Sequence, residues 1–169
     1  DKLLFFAYLK KKYYLCTRKQ NIYYMAKILI IDDERGIRNT LREILEDEGY
    51  DAEVAENGKQ GLQMASQQAY DPIYSDIKMP EMDGIEVLSA IKNTGEYTNQ
   101  DTPVASLETP IVMITGHGDV ETAVQALKLG AYDFLQKPLD LNRILITTKN
   151  ALESKQLRQE TKQLRKKVA

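Results

Sequence analysis

Between residues 27 and about 150 the apolar positions fall into two alternating rhythms. Ile28-Leu29-Ile30-Ile31 is a short unbroken run of branched residues, which predicts a strand covered on both faces. Ile37, Leu41, Ile44 and Leu45 then recur at helical spacing, and Gly49 closes that helix. The alternation repeats down the chain. A weaker strand near residues 52–55 precedes a helix around Leu62 and Ala65. Residues 73–75 make the third strand, and Ile85, Leu88 and Ile91 mark a third helix begun after Asp83-Gly84. Residues 111–114 make the fourth strand. Val120, Ala123, Val124 and Leu127 mark a fourth helix ended by Gly130, and residues 132–135 make the fifth strand. Five such alternations with short connections predict right-handed crossovers, and so an α/β fold: a five-stranded parallel sheet, doubly wound, with helices on both faces.

The two ends depart from this rhythm. After Pro138, residues 139–169 contain neither Gly nor Pro and predict an extended C-terminal helix. Leu141, Leu145, Thr148 and Leu152 step by four, three and four, and Leu157, Thr161, Leu164 and Val168 repeat those steps after an interruption. The first half must pack on the sheet. The second outruns it, and its charged faces suggest a coiled-coil linker and a homodimer. Residues 1–24 are rich in Lys, Tyr and Leu without a clean period, and Met25-Ala26-Lys27 opens directly into the first strand. The expected division is therefore 1–24 as an upstream or expression-derived extension, 25–150 as the folded domain and 151–169 as a helical linker. Two internal stretches are unusual. Pro72 and Tyr74 stand in the third strand and predict an irregular one. Residues 93–109 form a long polar connection before the fourth strand.

Composition narrows the function classes. The chain has 169 residues, enough for one ordinary domain with some excess at its ends. Lys plus Arg total 23 against 25 for Asp plus Glu, a net charge of -2 that gives no general attraction for nucleic acid or membrane. Arg165-Lys166-Lys167 at a helix end reads as dipole-compensating charge, so no direct nucleic-acid binding is expected of this segment. Cys16 is the single cysteine, which rules out an intramolecular disulfide and suits the cytoplasm. No apolar run approaches the roughly 18–20 residues of a membrane span.

Chemistry enters at the carboxyl ends of the strands, where open parallel sheets bind ligands. After the first strand come Asp32, Asp33 and Glu34; after the third, Asp76; after the fourth, Thr115; after the fifth, Lys137-Pro138. Carboxylates gathered on one edge repel one another unless a cation lies among them. With oxygen ligands only, that cation is expected to be hard and divalent: Mg²⁺, or another such as Mn²⁺. A Lys and a Thr around the same cation suggest a phosphoryl group, with one carboxylate as the nucleophile that forms an acyl phosphate.

Four ordered motifs carry a family resemblance over about residues 26–150. Ile-Ile-Asp-Asp-Glu (30–34), Asp76-Ile-Lys-Met-Pro-Glu-Met-Asp-Gly84, Ile114-Thr-Gly-His-Gly-Asp119 and Gly130-Ala-Tyr-Asp-Phe-Leu-Gln-Lys-Pro138 resemble the receiver domains of two-component response regulators. Thr-Gly-His-Gly-Asp and Pro-Leu-Asp-Leu-Asn-Arg (138–143) are similar in flavour to the NtrC/NtrX nitrogen-regulation subfamily. The resemblance implies a flavodoxin-like, CheY-like fold. It implies Asp76 as phosphoacceptor, Asp33 as direct metal ligand, Asp32 as its neighbour acting through water, and Lys78 as donor of a backbone carbonyl. It further implies Thr115 as switch hydroxyl, Lys137 as the cation on the phosphoryl group, Phe134 as a rotating aromatic, and a cis bond before Pro138. The implied partners are a sensor histidine kinase and downstream ATPase and DNA-binding modules, with control of transcription as output. Lys78 and His117, each two residues past a functional position, are candidates for setting the lifetime of the acyl phosphate.

Blander readings exist for each residue alone: Asp32 and Asp33 as a helix cap, Thr115 as a buried strand hydroxyl, Phe134 as core, His117 as loop surface. The spacing of the set favours the functional reading. A stand-alone receiver acting as a phosphorelay intermediate is the alternative within signalling. An aspartyl-phosphate phosphatase would want Asp-x-Asp after the first strand, which Asp32-Asp33-Glu34 does not supply.

Overall fold

The computed structural model of the chain describes residues 25–92, 108–116 and 119–168. Cys16 with the rest of residues 1–24, most of the long polar connection, and His117 lie outside the described residues. Five strands alternate with five helices: β1 (Lys27–Ile31), α1 (Arg35–Asp47), β2 (Asp51–Ala55), α2 (Gly58–Gln67), β3 (Ile73–Asp76), α3 (Gly84–Lys92), β4 (Ile111–Thr115), α4 (Val120–Lys128), β5 (Asp133–Gln136) and α5 (Leu141–Val168). The sheet order is β2-β1-β3-β4-β5, parallel throughout. Chain direction across the sheet reverses between β1 and β3, which opens a crevice at their carboxyl ends.

Side-chain alternation along each strand divides the core in two. Ile28, Ile30, Tyr74, Val112, Ile114 and Leu135 meet Leu41 and Leu45 of α1 and Ile144 of α5 on one face. Leu29, Ile31, Ile73, Ile111 and Met113 meet Ala65, Val87, Leu88, Ile91 and Ala126 of α2, α3 and α4 on the other. A period of two thus sorts each strand between two helical layers, and unbroken apolar runs are what a sheet covered on both sides requires. Gly49 ends α1 at φ 89°, a left-handed conformation a side chain would strain.

Three sequence expectations are corrected. β3 and β4 each run one residue further than their apolar runs, through Asp76 and Thr115, because Asp76 pairs with Ile114 and Thr115 with Gln136 in the ladder. β5 lies one residue later than expected, at Asp133–Gln136. The irregularity expected in β3 is not found. Pro72 precedes the strand and its carbonyl accepts from the Leu29 N–H at 3.3 Å, while Tyr74 is fully buried and shares a hydrogen bond with the Thr148 hydroxyl of α5.

α5 is one uninterrupted helix of 28 residues. Ile144, Thr147, Thr148 and Ala151 are buried against the sheet. Further along, Lys155 donates to the Tyr70 carbonyl at 3.1 Å and pairs with Asp71 at 2.9 Å, and Lys162 pairs with Glu108 at 3.0 Å. Ile146, Leu157, Leu164 and Val168 stay exposed. Among the described residues no helix is long and apolar enough to cross a membrane.

Candidate functional site

The carboxyl edge of the sheet assembles the polar residues that the strand ends supply. β1 delivers Asp32, which is fully buried. Its Oδ1 accepts from the Glu34 N–H at 2.7 Å, a local turn that fixes the loop before α1 begins. Its Oδ2 is also buried and accepts no hydrogen bond. Asp33 faces solvent, and Asp76, the last residue of β3, is 4% exposed. Asp32, Asp33 and Asp76 each bring one carboxylate oxygen within 4.8 Å of the others.

Such a cluster is costly without a cation. Burial, then the charge of Asp32, pushes the Asp76 carboxyl up to about 7, against the pull of Lys137. Burial likewise raises Asp32, outweighing its bond from Glu34 and the attraction of Lys137. A buried Asp32 oxygen that accepts no hydrogen bond and two carboxylates with raised proton affinity fit an oxygen-ligated divalent ion, which would satisfy the first and offset the repulsion in the second.

Lys137 closes the edge from the β5 side. Its Nζ lies 2.6 Å from Glu34 Oε1, 3.4 Å from Asp76 Oδ1 and 3.5 Å from Asp32 Oδ2. Burial works against its charge, but Glu34, Asp32 and Asp76 prevail and hold the ammonium above the ordinary lysine value. Its backbone is fixed by an N–H donated to the Thr115 carbonyl at 2.7 Å and by the cis Lys137-Pro138 bond. Thr115 is buried. Thr115 pairs with Gln136 and Met113 with Phe134, so half-buried Phe134 is a diagonal same-face neighbour of Thr115.

The loop after β3 turns tightly over the site. Gly84 N–H donates back to the Ile77 carbonyl at 2.8 Å, and a Cβ on Gly84 would lie 2.1 Å from the Asp76 carbonyl oxygen. Only glycine allows that approach. Lys78 extends outward, and its ammonium pairs at 2.9 Å with Asp119 at the start of α4.

The structure therefore brings together Asp32, Asp33, Asp76, Thr115 and Lys137, with Phe134 beside Thr115 and Lys78 at the rim. Sequence reasoning missed three contacts: Glu34 as the shortest partner of Lys137, Asp119 as the partner of Lys78, and Arg38 behind the acidic loop. Arg38 had a signal. It stands three and seven residues before Leu41 and Leu45, on the buried stripe of α1, where a charge demands a reason.

A five-stranded parallel sheet with an acidic cluster at its switch point and a lysine at the end of the last strand defines a class. The chain belongs to the response regulator receiver domain family, whose model matches residues 28–149. Within it, the chain is 41% identical over 140 residues to the nitrogen assimilation regulatory protein NtrX of Azorhizobium caulinodans, covering 82% of this chain and 28% of that protein. It is 38% identical over 146 residues to a putative response regulator NtrX-like of Rickettsia bellii, covering 85% and 28% respectively. The crystal structure of NtrX from Brucella abortus superposes with a TM-score of 0.73 at 35% identity, over 83% of this chain and 30% of that one. The chain thus spans about 28% of the length of these curated relatives.

Proposed function

We propose that the chain accepts a phosphoryl group on Asp76 and passes the event to an output through a packing switch. The observation that carries this is the buried Asp76 carboxylate, 3.4 Å from the Lys137 ammonium, in one cluster with Asp32 and Asp33. In the reaction an Asp76 oxygen attacks phosphorus, and the bond to the donor breaks. With a phosphohistidine kinase as donor the leaving imidazole takes up a proton. Lys137 orients the incoming oxygens and offsets their charge. Asp32, Asp33, Asp76 and the Lys78 backbone carbonyl would hold Mg²⁺ or Mn²⁺, which neutralises charge on the transferring group.

Incubation with acetyl phosphate and Mg²⁺, read by intact mass, tests the assignment. One phosphoryl adduct is expected, lost in Asp76→Asn and abolished by EDTA; an adduct persisting in Asp76→Asn overturns it. The read-out is proposed to run through Thr115, drawn toward the phosphoryl oxygens, and Phe134, which fills the space vacated. Thr115→Ala should accept phosphate yet lose the change in amide exchange along α4 and β5 that the wild type shows.

The natural setting proposed is cytoplasmic, with a sensor histidine kinase as donor and an ATPase and DNA-binding module as output. The relatives' names as regulators, and the receiver occupying 28% of their length, support this over a stand-alone relay. Residues 151–169 are proposed as the linker, pairing with a second copy. Residues 1–24 are proposed as an extension outside the receiver. Lys78 and His117 remain proposed determinants of acyl-phosphate lifetime. Lys78→Ala, His117→Ala and the double mutant should release phosphate at rates different from wild type.

A further inference from the structure

Arg38 lies in α1, outside the acidic cluster, yet it is 7% exposed and its guanidinium is turned toward that cluster's backbone. One nitrogen, Nη1, donates to the Asp32 carbonyl at 2.8 Å and to the Asp33 carbonyl at 2.9 Å. The other, Nη2, reaches Glu56 Oε1 at 3.4 Å on the loop after β2. Those two carbonyls belong to consecutive residues at the point where β1 leaves the sheet, so they have no ladder partner beyond Ile31. Left alone, the buried Asp32 carbonyl would lack a partner and the half-buried Asp33 carbonyl would be held by nothing in the ladder. The two N–H groups of Nη1 fix both, and with them the φ and ψ angles that aim the Asp32 and Asp33 side chains.

We infer that Arg38 is a positioning residue for the divalent-ion site, holding the Asp32-Asp33 backbone so that both carboxylates converge with Asp76. The inference rests on the proposed ion site and goes beyond it by assigning the element that builds it. Two effects of Arg38 oppose each other. Its positive charge disfavours a nearby cation, whereas its geometry favours one. Geometry wins, because the guanidinium bonds to carbonyls rather than carboxylates. Outer partners that orient metal ligands are generally worth about 10–100-fold in metal affinity. A lysine at this position keeps the charge, but its ammonium ends one bond short of Nη1 and lacks the planar N–H geometry with which that one nitrogen meets both carbonyls.

The test titrates the full chain with Mn²⁺, following the free ion by paramagnetic resonance, and measures amide exchange across residues 32–35 in EDTA. Arg38→Met is expected to bind Mn²⁺ about tenfold more weakly and to exchange faster across residues 32–35 without metal. Arg38→Lys should keep the fold by circular dichroism and lose severalfold in affinity. Glu56→Gln, which leaves both carbonyl bonds in place, should bind as wild type. Should Arg38→Met fail to fold, Arg38→Lys decides: wild-type affinity and wild-type exchange in that variant overturn the inference. A wild-type chain that binds no Mn²⁺ defeats the ion site itself, which is a distinct outcome.

Discussion

At the residue scale the site depends on close approaches that leave no room for substitution. Gly84 is the sharpest case, since an added methyl would sit 2.1 Å from the Asp76 carbonyl oxygen and 2.9 Å from its carbon. Backbone cannot yield as a flexible side chain can. Gly84→Ala is expected to destabilise the fold by at least about 1–3 kcal/mol. It should also slow phosphorylation of the fraction that remains folded, because relief requires moving the peptide that carries Asp76. Urea unfolding together with the rate of adduct formation from acetyl phosphate measures both. An unchanged rate in the folded fraction would mean that the loop, not the acceptor, moves. Asp76, Lys137, Thr115 and the acidic pair were legible in sequence because each follows a recognisable strand. Arg38 was not, since a hydrogen bond to two backbone carbonyls leaves no motif, only a charge on an apolar stripe. The Glu34–Lys137 and Lys78–Asp119 pairs were equally hidden, because they join loops 103 and 41 positions apart in the chain.

At the element scale, α5 does two jobs along one axis. Its first half offers Ile144, Thr148 and Ala151 to the sheet, while Leu157, Thr161, Leu164 and Val168 form a stripe turned to solvent. Leu157 and Leu164 are 63% and 62% exposed and share one face of the helix with Thr161 and Val168, at the four-three steps a partner helix would cover. Charges beside that stripe choose its partner's direction. In a parallel pair, Glu153 and Glu160 of one helix would face Arg158 and Arg165 of the second copy, whereas an antiparallel pair would set like charges together. Glu160→Lys is therefore expected to weaken self-association at low salt, and Glu160→Lys with Arg165→Glu to restore it. Sedimentation of both against a chain ending at Asn150 provides the measure; no loss in Glu160→Lys would exclude this register. The strands were legible in their centres and blurred at their ends. Polar Asp76, Thr115 and Gln136 stay in the ladder through backbone bonds that an apolar run cannot report.

At the scale of the whole molecule, chemistry occupies one end of the sheet and a second polar network the other. There Lys27 Nζ pairs with Glu53 at 2.6 Å, the Tyr70 hydroxyl donates to the same carboxylate, and Gln68 bridges them. Asp51 stands nearby, 3.9 Å from Lys27. Burial works against the Glu53 charge, yet the bonds from Lys27 and Tyr70 prevail and its carboxyl lies below the ordinary glutamate value. A depressed carboxyl stabilises the fold above its ordinary value of 4.5, and that contribution fades as pH falls through the lower folded value. Lys27 is raised, chiefly by the bond it donates to Glu53, and burial raises Tyr70, so their contributions stand at neutral pH and fade only as pH climbs past the ordinary lysine and tyrosine ranges. Glu53→Gln is thus expected to lower stability at neutral pH and to flatten the acid limb. Urea midpoints followed from neutral pH downward through 4.5, the side on which the depressed carboxyl loses its contribution, would check it. A wild-type acid limb in the mutant would move the origin of that limb elsewhere.

The hydrogen bond between Tyr74 and Thr148 ties the strand that ends in Asp76 directly to α5. Tyr74 and Asp76 are two residues apart on the same short strand, so the proposed acceptor and the fulcrum of the helix share one rigid bar. From Thr148 to Val168 the helix runs for roughly 30 Å at about 1.5 Å per residue. A tilt of about 10° about that fulcrum would sweep the far end through roughly 5 Å, as a short wrist motion moves the tip of a pointer. A small shift of that bar at the sheet edge would in this way reach the end of the arm as a displacement of about one helical turn, with no loop having to relay it.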